Sequence, residues 1–146
     1  MEIKRIIDPM EEIRVMKLLD DALPIRLFER ENCDVIVKRM TEMAIFYVAY
    51  EEQNEEPLGY VAFYANDLET KVAYITSICV NKLAQGSGVG GRLLEAAVSE
   101  SKHRGMTMMK LEVLKSNANA IRFYKLKGFI QSGEKTNKSI YMEKEL

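Results

Sequence analysis

The sequence contains few of the residues that usually ligate metals. Its 146 residues include one histidine, His103, and two cysteines, Cys33 and Cys79, which lie far apart along the chain. They offer no metal-ligand cluster, so we expect a function that needs no metal. The two cysteines could form one disulfide. Because Cys79 lies inside an apolar segment, we interpret both as small buried hydrophobic residues.

Long apolar runs and a strong excess of one charge are also lacking. No segment approaches the roughly 18 apolar residues that cross a membrane, and the first residues include no apolar stretch of signal-peptide length. We therefore expect a cytoplasmic protein with no membrane partner. The net charge of −1 argues against an extended nucleic-acid surface, so no nucleic-acid partner is expected.

What is present is the composition of a globular protein, 47% hydrophobic and 29% charged, which predicts a single domain over residues 1–146. The charge is divided unevenly. Residues 1–70 contain 8 Lys or Arg and 16 Asp or Glu, whereas residues 71–146 contain 13 and 6. An acidic and a basic half suit a cationic amine substrate and a polyanionic cofactor, and ordinary solvated faces explain the pattern equally well.

Local patterns predict a chain of alternating helices and strands. Asp8 and Pro9 are typical of a helix start, and the following helix carries Ile13, Met16, Leu19 and Leu23 before Pro24 interrupts it. Gly105 is placed to end the helix that follows the segment 85–91. Further helices are predicted over 33–43 and 118–126, and strands over 2–7, 44–51, 58–65, 72–80, 108–114, 129–133 and 138–143.

The most informative segment is the glycine loop, residues 85–91, which reads Gln-Gly-Ser-Gly-Val-Gly-Gly between a predicted strand and a predicted helix. Four glycines in six positions are unfavourable inside a helix or strand, because glycine loses the most backbone entropy when ordered. A helix that begins just after such a loop directs unpaired N–H groups at it, which favours an anion such as a phosphate. The nucleotide P-loop does not fit, since Arg92 and Leu93 follow where Lys and Ser or Thr are required.

A dinucleotide site is one alternative interpretation of this loop. Gly86, Gly88 and Gly91 fit G-x-G-x-x-G, and Glu112 follows about 20 residues later. That interpretation would make the protein an NAD-dependent oxidoreductase. Against it, too little chain follows Glu112 for the remaining strands and helices of a doubly wound sheet.

A second motif favours another family. Gln85-x-x-Gly88-x-Gly90 resembles the acyl-CoA loop of the GNAT superfamily of N-acyltransferases, and Asn117-x-x-Ala120-x-x-x-Tyr124-x-x-x-Gly128-Phe129 resembles its other signature. Together the two blocks cover roughly residues 72–130, about 40% of the chain. The resemblance implies a mixed, mostly antiparallel central sheet of six to seven strands, a β-α-β crossover that binds acetyl-CoA, and flanking helices.

The resemblance also implies which residues bind acetyl-CoA. In the family the strand before the loop diverges from its neighbour, and the pantetheine arm pairs with its backbone, here around Ile78, Cys79 and Val80. Asn117 would bond the same arm, besides serving as a helix cap. The pyrophosphate would meet the backbone N–H groups of Gln85, Gly86, Ser87, Gly88, Val89 and Gly90.

Two residues are candidates for the chemistry of acetyl transfer. Tyr124 matches the family tyrosine that donates a proton to the departing thiolate, although a packing tyrosine on an amphipathic helix would look the same. Glu112 matches the glutamate that serves as base in N-terminal-alanine acetyltransferases of ribosomal proteins. It could equally be an ordinary strand carboxylate beside Lys110. An acyl-enzyme on Cys79 is disfavoured, because the family transfers the acyl group directly.

The acceptor is expected to be a small-molecule or peptide amine. An acidic stretch at Asp20, Asp21, Glu29 and Glu31 suggests a cationic acceptor without forming a motif. The expected activity is therefore transfer of an acetyl group from acetyl-CoA to a primary amine by direct attack. A CoA-binding regulatory module that no longer turns over remains an alternative, and a homodimer, common in the family, is one expectation for the assembly.

Overall fold

A computed structural model describes all 146 residues. It contains four α-helices and one seven-stranded, mostly antiparallel sheet, so the predicted fold class is confirmed. The sheet order is β1-β2-β3-β4-β5-β7-β6. The elements are β1 Glu2–Ile6, α1 Pro9–Leu19, α2 Cys33–Met43, β2 Ile45–Tyr50, β3 Pro57–Tyr64, β4 Val72–Val80, α3 Val89–His103, β5 Met108–Leu114, α4 Ala118–Leu126, β6 Ile130–Glu134 and β7 Ser139–Glu145.

The chain divides into two compact units. The first comprises Met1–Phe63 and Ser77–Ala97, and the second comprises Tyr64–Thr76 and Val98–Leu146. Strand β4 and helix α3 each begin in one unit and end in the other. The doubly wound parallel sheet that the dinucleotide interpretation requires is not the sheet observed, since β4 and β5 form a single parallel pair beside antiparallel β1–β2, β2–β3, β5–β7 and β6–β7 pairs.

The core of the first unit lies between α1, α2 and the strands β2 and β3. Helix α1 starts as predicted, with Pro9 in its first turn and the Asp8 carboxylate accepting from the Met10 N–H at 3.1 Å. Apolar residues at helical spacing then face the sheet, where burying them supplies the main driving force for packing. The fully buried members of this core include Val15, Met16, Met40, Phe46, Val48 and Tyr60.

The predicted end of α1 was wrong. The helix stops at Leu19, and residues Asp20–Ala22 form a short 3-10 turn instead of a further α-helical turn to Leu23. The reason is the Asp20 carboxylate, which accepts from the backbone N–H groups of Leu27 at 2.8 Å and Phe28 at 3.2 Å. These bonds to distant residues turn the chain before Pro24 is reached.

In the second unit, β5 lies between β4 and β7. Strand alternation buries Met109, Leu111 and Val113 and leaves Glu112 on the more exposed face. The parallel pairing of β4 with β5 covers only the four pairs from Val72↔Met108 to Ile75↔Leu111. Both strands continue beyond this point, to Val80 and Leu114.

Candidate functional site: the glycine loop and the Glu112 cluster

The glycine loop adopts the conformation that its composition indicates. Gly86 and Gly88 have φ values of 83° and 91°, in the left-handed region that favours glycine. Helix α3 begins immediately afterwards at Val89, and the Arg92 N–H donates to the Gly88 carbonyl at 3.2 Å. The N–H groups of the first turn precede this bond and so have no acceptor within the helix. Residues 85–88 are exposed, and these donors suit an anion.

Side chains of the loop hold its conformation from within. The Gln85 amide donates to the Val80 carbonyl at 3.2 Å, and the Ser87 hydroxyl donates to the Ala84 carbonyl. Asn81 caps the short 3-10 turn Lys82–Ala84 by accepting from the Leu83 N–H. The uncharged side chains of Gln85 and Ser87 therefore stabilise the loop, and the Ser87 N–H also donates to the Ala84 carbonyl, at 3.3 Å.

Gly59 on β3 matters for the glycine loop, although no sequence motif singles it out. A Cβ atom at this position would lie 2.7 Å from the Cys79 carbonyl oxygen and 3.2 Å from a methyl carbon of Val89. Glycine thus lets the end of β4 and the first turn of α3 pack closely against β3. A lone glycine between Leu58 and Tyr60 carries no signal of this role, because the contact joins residues 20 and 30 positions apart.

Cys79 is buried and is unsuited to nucleophilic catalysis. Its thiol donates to the Leu19 carbonyl at 3.2 Å. Burial, reinforced by the charges of Asp20 and Asp21, raises the pKa of the thiol to about 12. The thiolate that would attack an acyl group is therefore disfavoured at neutral pH. The neighbouring residues Ile78 and Val80, at the end of β4, are only half-buried.

Glu112 lies in a polar cluster built from β5, β7 and the turn between β6 and β7. The Lys135 ammonium lies 2.9 Å from Glu112 Oε1, and the Ser139 hydroxyl donates to Glu112 Oε2 at 2.6 Å. The hydrogen bond with Glu112 raises the pKa of Lys135, so the lysine stays charged. Glu112 is therefore more than an isolated strand carboxylate, and Lys110, its neighbour along the strand, pairs with Glu143 instead.

Two tyrosines accompany this cluster. Tyr74 is paired with Lys110 across β4 and β5, and Tyr141 is paired with Glu112 across β5 and β7. Burial raises the pKa of Tyr74. The positive charge of Lys135 lowers this pKa, and the negative charge of Glu112 raises it. The Lys110 ammonium lies 4.2 Å from the centre of the Tyr141 ring. No sequence pattern links Lys135, Ser139, Tyr74 or Tyr141 to Glu112, because each of them is separated from it by 23 or more residues.

Asn117 is the cap residue just before α4, and Tyr124 lies on α4, as the second motif predicted. The Asn117 side-chain oxygen caps the helix by accepting from the Ala120 N–H at 3.2 Å, which leaves its NH₂ group available as a donor. The Tyr124 ring packs edge-on against Phe123 and Phe129, with centroid distances of 5.4 and 5.6 Å. Burial raises the pKa of Tyr124, so its phenol is protonated at neutral pH.

The acidic stretch does not act as one surface. Asp20 is buried and uses its carboxylate on the Leu27 and Phe28 N–H groups, and Glu29 pairs with Arg26 at 3.4 Å. Asp21 and Glu31 are exposed. Asp20, expected to help attract a cationic acceptor, instead holds the segment between α1 and α2.

No group of three or more His, Cys, Asp or Glu side chains is arranged to hold a metal ion. None of the helices combines the length and the apolarity needed to span a membrane. His103 lies in the last turn of α3, where basic side chains interact favourably with the negative end of the helix dipole.

Comparison with known proteins places these features in a family. The model of the acetyltransferase (GNAT) family matches residues 12–129. An uncharacterized N-acetyltransferase of Methanocaldococcus jannaschii is 37% identical over 82 residues, which cover 53% of this chain and 36% of that protein. The chain thus spans about a third of the length of that curated relative.

Solved structures agree with the match. One is a Bacillus anthracis str. Ames protein assigned as a streptothricin acetyltransferase and solved in complex with acetyl coenzyme A. It is 26% identical to this chain, with a TM-score of 0.63, and the match covers 71% of this chain and 63% of the Bacillus anthracis chain. The ribosomal-protein-S18-alanine N-acetyltransferase from Escherichia coli shares the fold, with a TM-score of 0.75, 19% identity and coverage of 99% and 94%. The chain, whose glycine loop and second motif both fall within the matched residues, belongs to the acetyltransferase (GNAT) family.

Proposed function

We propose that this protein is an N-acetyltransferase that transfers an acetyl group from acetyl-CoA to a primary amine by direct attack. The observation that carries the proposal is the glycine loop, in which two left-handed glycines lead directly into the N-terminus of α3. Membership of the GNAT family and the acetyl-CoA complex of the Bacillus anthracis protein support the same cofactor.

The cofactor-binding residues in this proposal act mostly through their backbone. The pyrophosphate binds the backbone N–H groups of the loop residues Gln85, Gly86, Ser87, Gly88, Val89 and Gly90. The backbone of Ile78, Cys79 and Val80 pairs with the pantetheine arm, as an added strand does. The free NH₂ group of Asn117 donates to the same arm while its oxygen keeps capping α4.

Tyr124 acts at the thioester sulfur in this scheme. Acetyl-CoA supplies an activated acetyl group and a thiolate leaving group. Because burial raises its pKa, Tyr124 keeps its proton at neutral pH and can donate a hydrogen bond as negative charge builds on sulfur. The same shift makes full loss of that proton more costly. We therefore expect Tyr124 to act mainly as a hydrogen-bond donor to the developing thiolate, while the second proton lost by the attacking nitrogen ends on the sulfur as CoA leaves as a thiol.

Glu112 is the proposed base, which accepts a proton from the acceptor's ammonium group before or during attack. The need for a base depends on the acceptor. A lysine amine with a pKa of about 10.4 costs roughly 4 kcal/mol to deprotonate at pH 7.5, whereas an α-amine near 7.8 costs about 0.4 kcal/mol. The role of Glu112 is thus greatest for lysine side chains and polyamines.

Direct attack is preferred over an acyl-enzyme for a structural reason. Cys79 is the buried thiol of the pantetheine-binding strand end, and burial raises its pKa to about 12. Its hydrogen is engaged with the Leu19 carbonyl. The proposal therefore assigns no covalent role to Cys79.

Thiol release from acetyl-CoA tests the proposal. Wild type and Tyr124→Phe are assayed with α-amino peptides, lysine peptides, polyamines, aminosugars and small amines. We expect release with one class and a loss of about 10- to 100-fold in kcat in the Phe variant, with little change in the KM for acetyl-CoA. Tyr50→Phe is the control for loss of a hydroxyl from a buried tyrosine, because the Tyr50 phenol donates to the half-buried Glu11 of α1 at 2.7 Å.

The outcomes separate the alternatives. Acetyl-CoA binding without release across the whole panel would favour a regulatory module that binds CoA without turnover. Absence of acetyl-CoA binding would contradict the proposal altogether. The proposal also includes action in the cytoplasm and, as an expectation for light scattering to test, a homodimer.

A further inference from the structure

Lys135 occupies the position on Glu112 that an acceptor ammonium would need. Its ammonium nitrogen lies 2.9 Å from Glu112 Oε1, while Ser139 donates to Oε2. A primary ammonium that is to lose its proton to Glu112 must come within hydrogen-bond distance of the same carboxylate. Two ammonium groups on one carboxylate repel each other, so Lys135 and the acceptor compete for this position.

The surroundings of Lys135 allow its ammonium to leave. About 43% of the Lys135 side chain is exposed, so water can take the place of Glu112 as its partner. Its backbone is held in place, because the Lys135 N–H donates to the Ser139 carbonyl at 3.1 Å and Thr136 accepts from the Lys138 and Ser139 N–H groups. A fixed turn thus carries a flexible, charged side chain that can exchange between carboxylate and solvent.

We propose that Lys135 is a specificity-determining residue that holds Glu112 until the acceptor's ammonium displaces it. This inference rests on the proposed function, since it takes Glu112 as the residue that receives the acceptor's proton. In the absence of an acceptor, Lys135 and Ser139 orient the carboxylate. When a primary ammonium arrives, Lys135 moves into solvent, and only cations that can donate hydrogen bonds to Glu112 complete the exchange.

Steady-state kinetics with the amine that gives the fastest release in the panel test this exchange. We expect Lys135→Met to lower the KM for that amine by about two- to fivefold, the range that partly exposed ion pairs support. Lys135→Arg, which restores a cation, should return the KM to the wild-type value. Lys138→Met removes an exposed charge from the same turn and should leave it unchanged. The KM for acetyl-CoA should stay constant throughout.

A binding measurement makes the test independent of turnover. Ethylammonium chloride is titrated into wild type and Lys135→Met while the backbone amide resonances of Glu112 and Tyr141 are followed, with tetramethylammonium chloride as a cation that cannot donate hydrogen bonds. We expect the apparent Kd of ethylammonium to fall by the same factor in the variant, and tetramethylammonium to show no such difference.

The two measurements distinguish failure of the Lys135 exchange from failure of the proposed function. An acceptor KM and an ethylammonium Kd that are unchanged or higher in Lys135→Met would overturn the exchange and leave Lys135 a supporting residue. Failure of the proposed function would instead appear in the wild type, as no thiol release with any amine. The ethylammonium titration would then still decide whether Lys135 and a primary ammonium compete for Glu112.

Discussion

At the scale of single residues, Glu12 combines burial with a carboxyl oxygen that has no hydrogen-bond partner. Its side chain lies on the buried face of α1 with Val15, Met16 and Leu19, only 3% of the residue is exposed, and Oε1 has no hydrogen-bond partner. Burial first, and the charge of Asp8 second, raise the pKa of Glu12 from 4.5 to about 7. The charged form is thus costly in the folded protein.

The raised pKa of Glu12 predicts that the effect of Glu12→Gln on stability depends on pH. Because the folded-state pKa is raised, the stability that the neutral carboxyl contributes is fully present below about pH 4.5 and is lost as the pH rises through about 7. Glu12→Gln should match wild type near pH 4 and exceed it at pH 8 by on the order of 3 kcal/mol in the free energy of unfolding. Urea unfolding across this range measures the difference.

The neighbouring Glu11 provides a control of opposite sign. Its hydrogen bond with Arg14, aided by that from Tyr50, lowers its pKa, so its stabilising effect is present above its ordinary pKa and is lost as the pH falls through the lowered value. Glu11→Gln should therefore be less stable than wild type at pH 8 and approach it in acid. A constant difference between Glu12→Gln and wild type from pH 4 to 8 would contradict the assignment of the raised pKa.

Glu112 carries a prediction that depends on the acceptor. Glu112→Gln keeps the shape of the side chain but cannot accept a proton, so it should lower kcat about 100-fold or more for lysine-type acceptors and far less for α-amino peptides. Rates of thiol release with the two classes measure the contrast. Glu134→Gln, which removes an exposed carboxylate paired with Lys115, is the matched control. A near-normal rate with lysine-type acceptors would remove Glu112 from the mechanism.

At the scale of elements, the glycine loop depends on close packing of β3, β4 and α3. A Cβ at Gly59 would lie 2.7 Å from the backbone oxygen of Cys79, so the backbone must shift to accept it. Overpacking of this kind typically costs about 1–3 kcal/mol. Because the shift displaces the strand end that leads into the loop, acetyl-CoA binding should weaken as well.

Gly59→Ala should therefore lower the free energy of unfolding and raise the KM for acetyl-CoA severalfold. Thermal unfolding and thiol-release kinetics measure the two effects. Gly105→Ala separates them, because Gly105 ends α3 with a φ of 85°, and an alanine there strains the backbone without meeting a neighbour. This control should lose stability by about 1 kcal/mol but keep the KM. An unchanged KM in Gly59→Ala would show that the loop tolerates the shift.

At the scale of the whole molecule, binding of acetyl-CoA should be visible as stabilisation. A ligand that binds only the folded state at 100 times its Kd adds about 2.7 kcal/mol to the free energy of unfolding. In a chain of this size that corresponds to an increase in Tm of about 5–10 °C. Thermal scans with acetyl-CoA, and with NADH as the comparison, measure it. A shift with NADH and none with acetyl-CoA would contradict the proposed cofactor.

The sequence by itself determined the features that depend on neighbouring residues. Asp8 and Pro9 specify the start of α1, Gly105 the end of α3 and Asn117 the cap of α4, because each cap uses backbone groups within a few positions. The glycine loop before α3 is local for the same reason, and with the second motif it identified the family.

The tertiary structure alone decided the features that join distant residues. Lys135 and Ser139 hold Glu112, Asp20 ends α1 by bonding Leu27 and Phe28, and Gly59 makes room for Cys79. The burial of Glu12 belongs to the same group, since a glutamate in a first helical turn is ordinarily exposed. Periodicity and motif spacing describe one segment at a time, whereas these contacts exist only after strands and turns have paired.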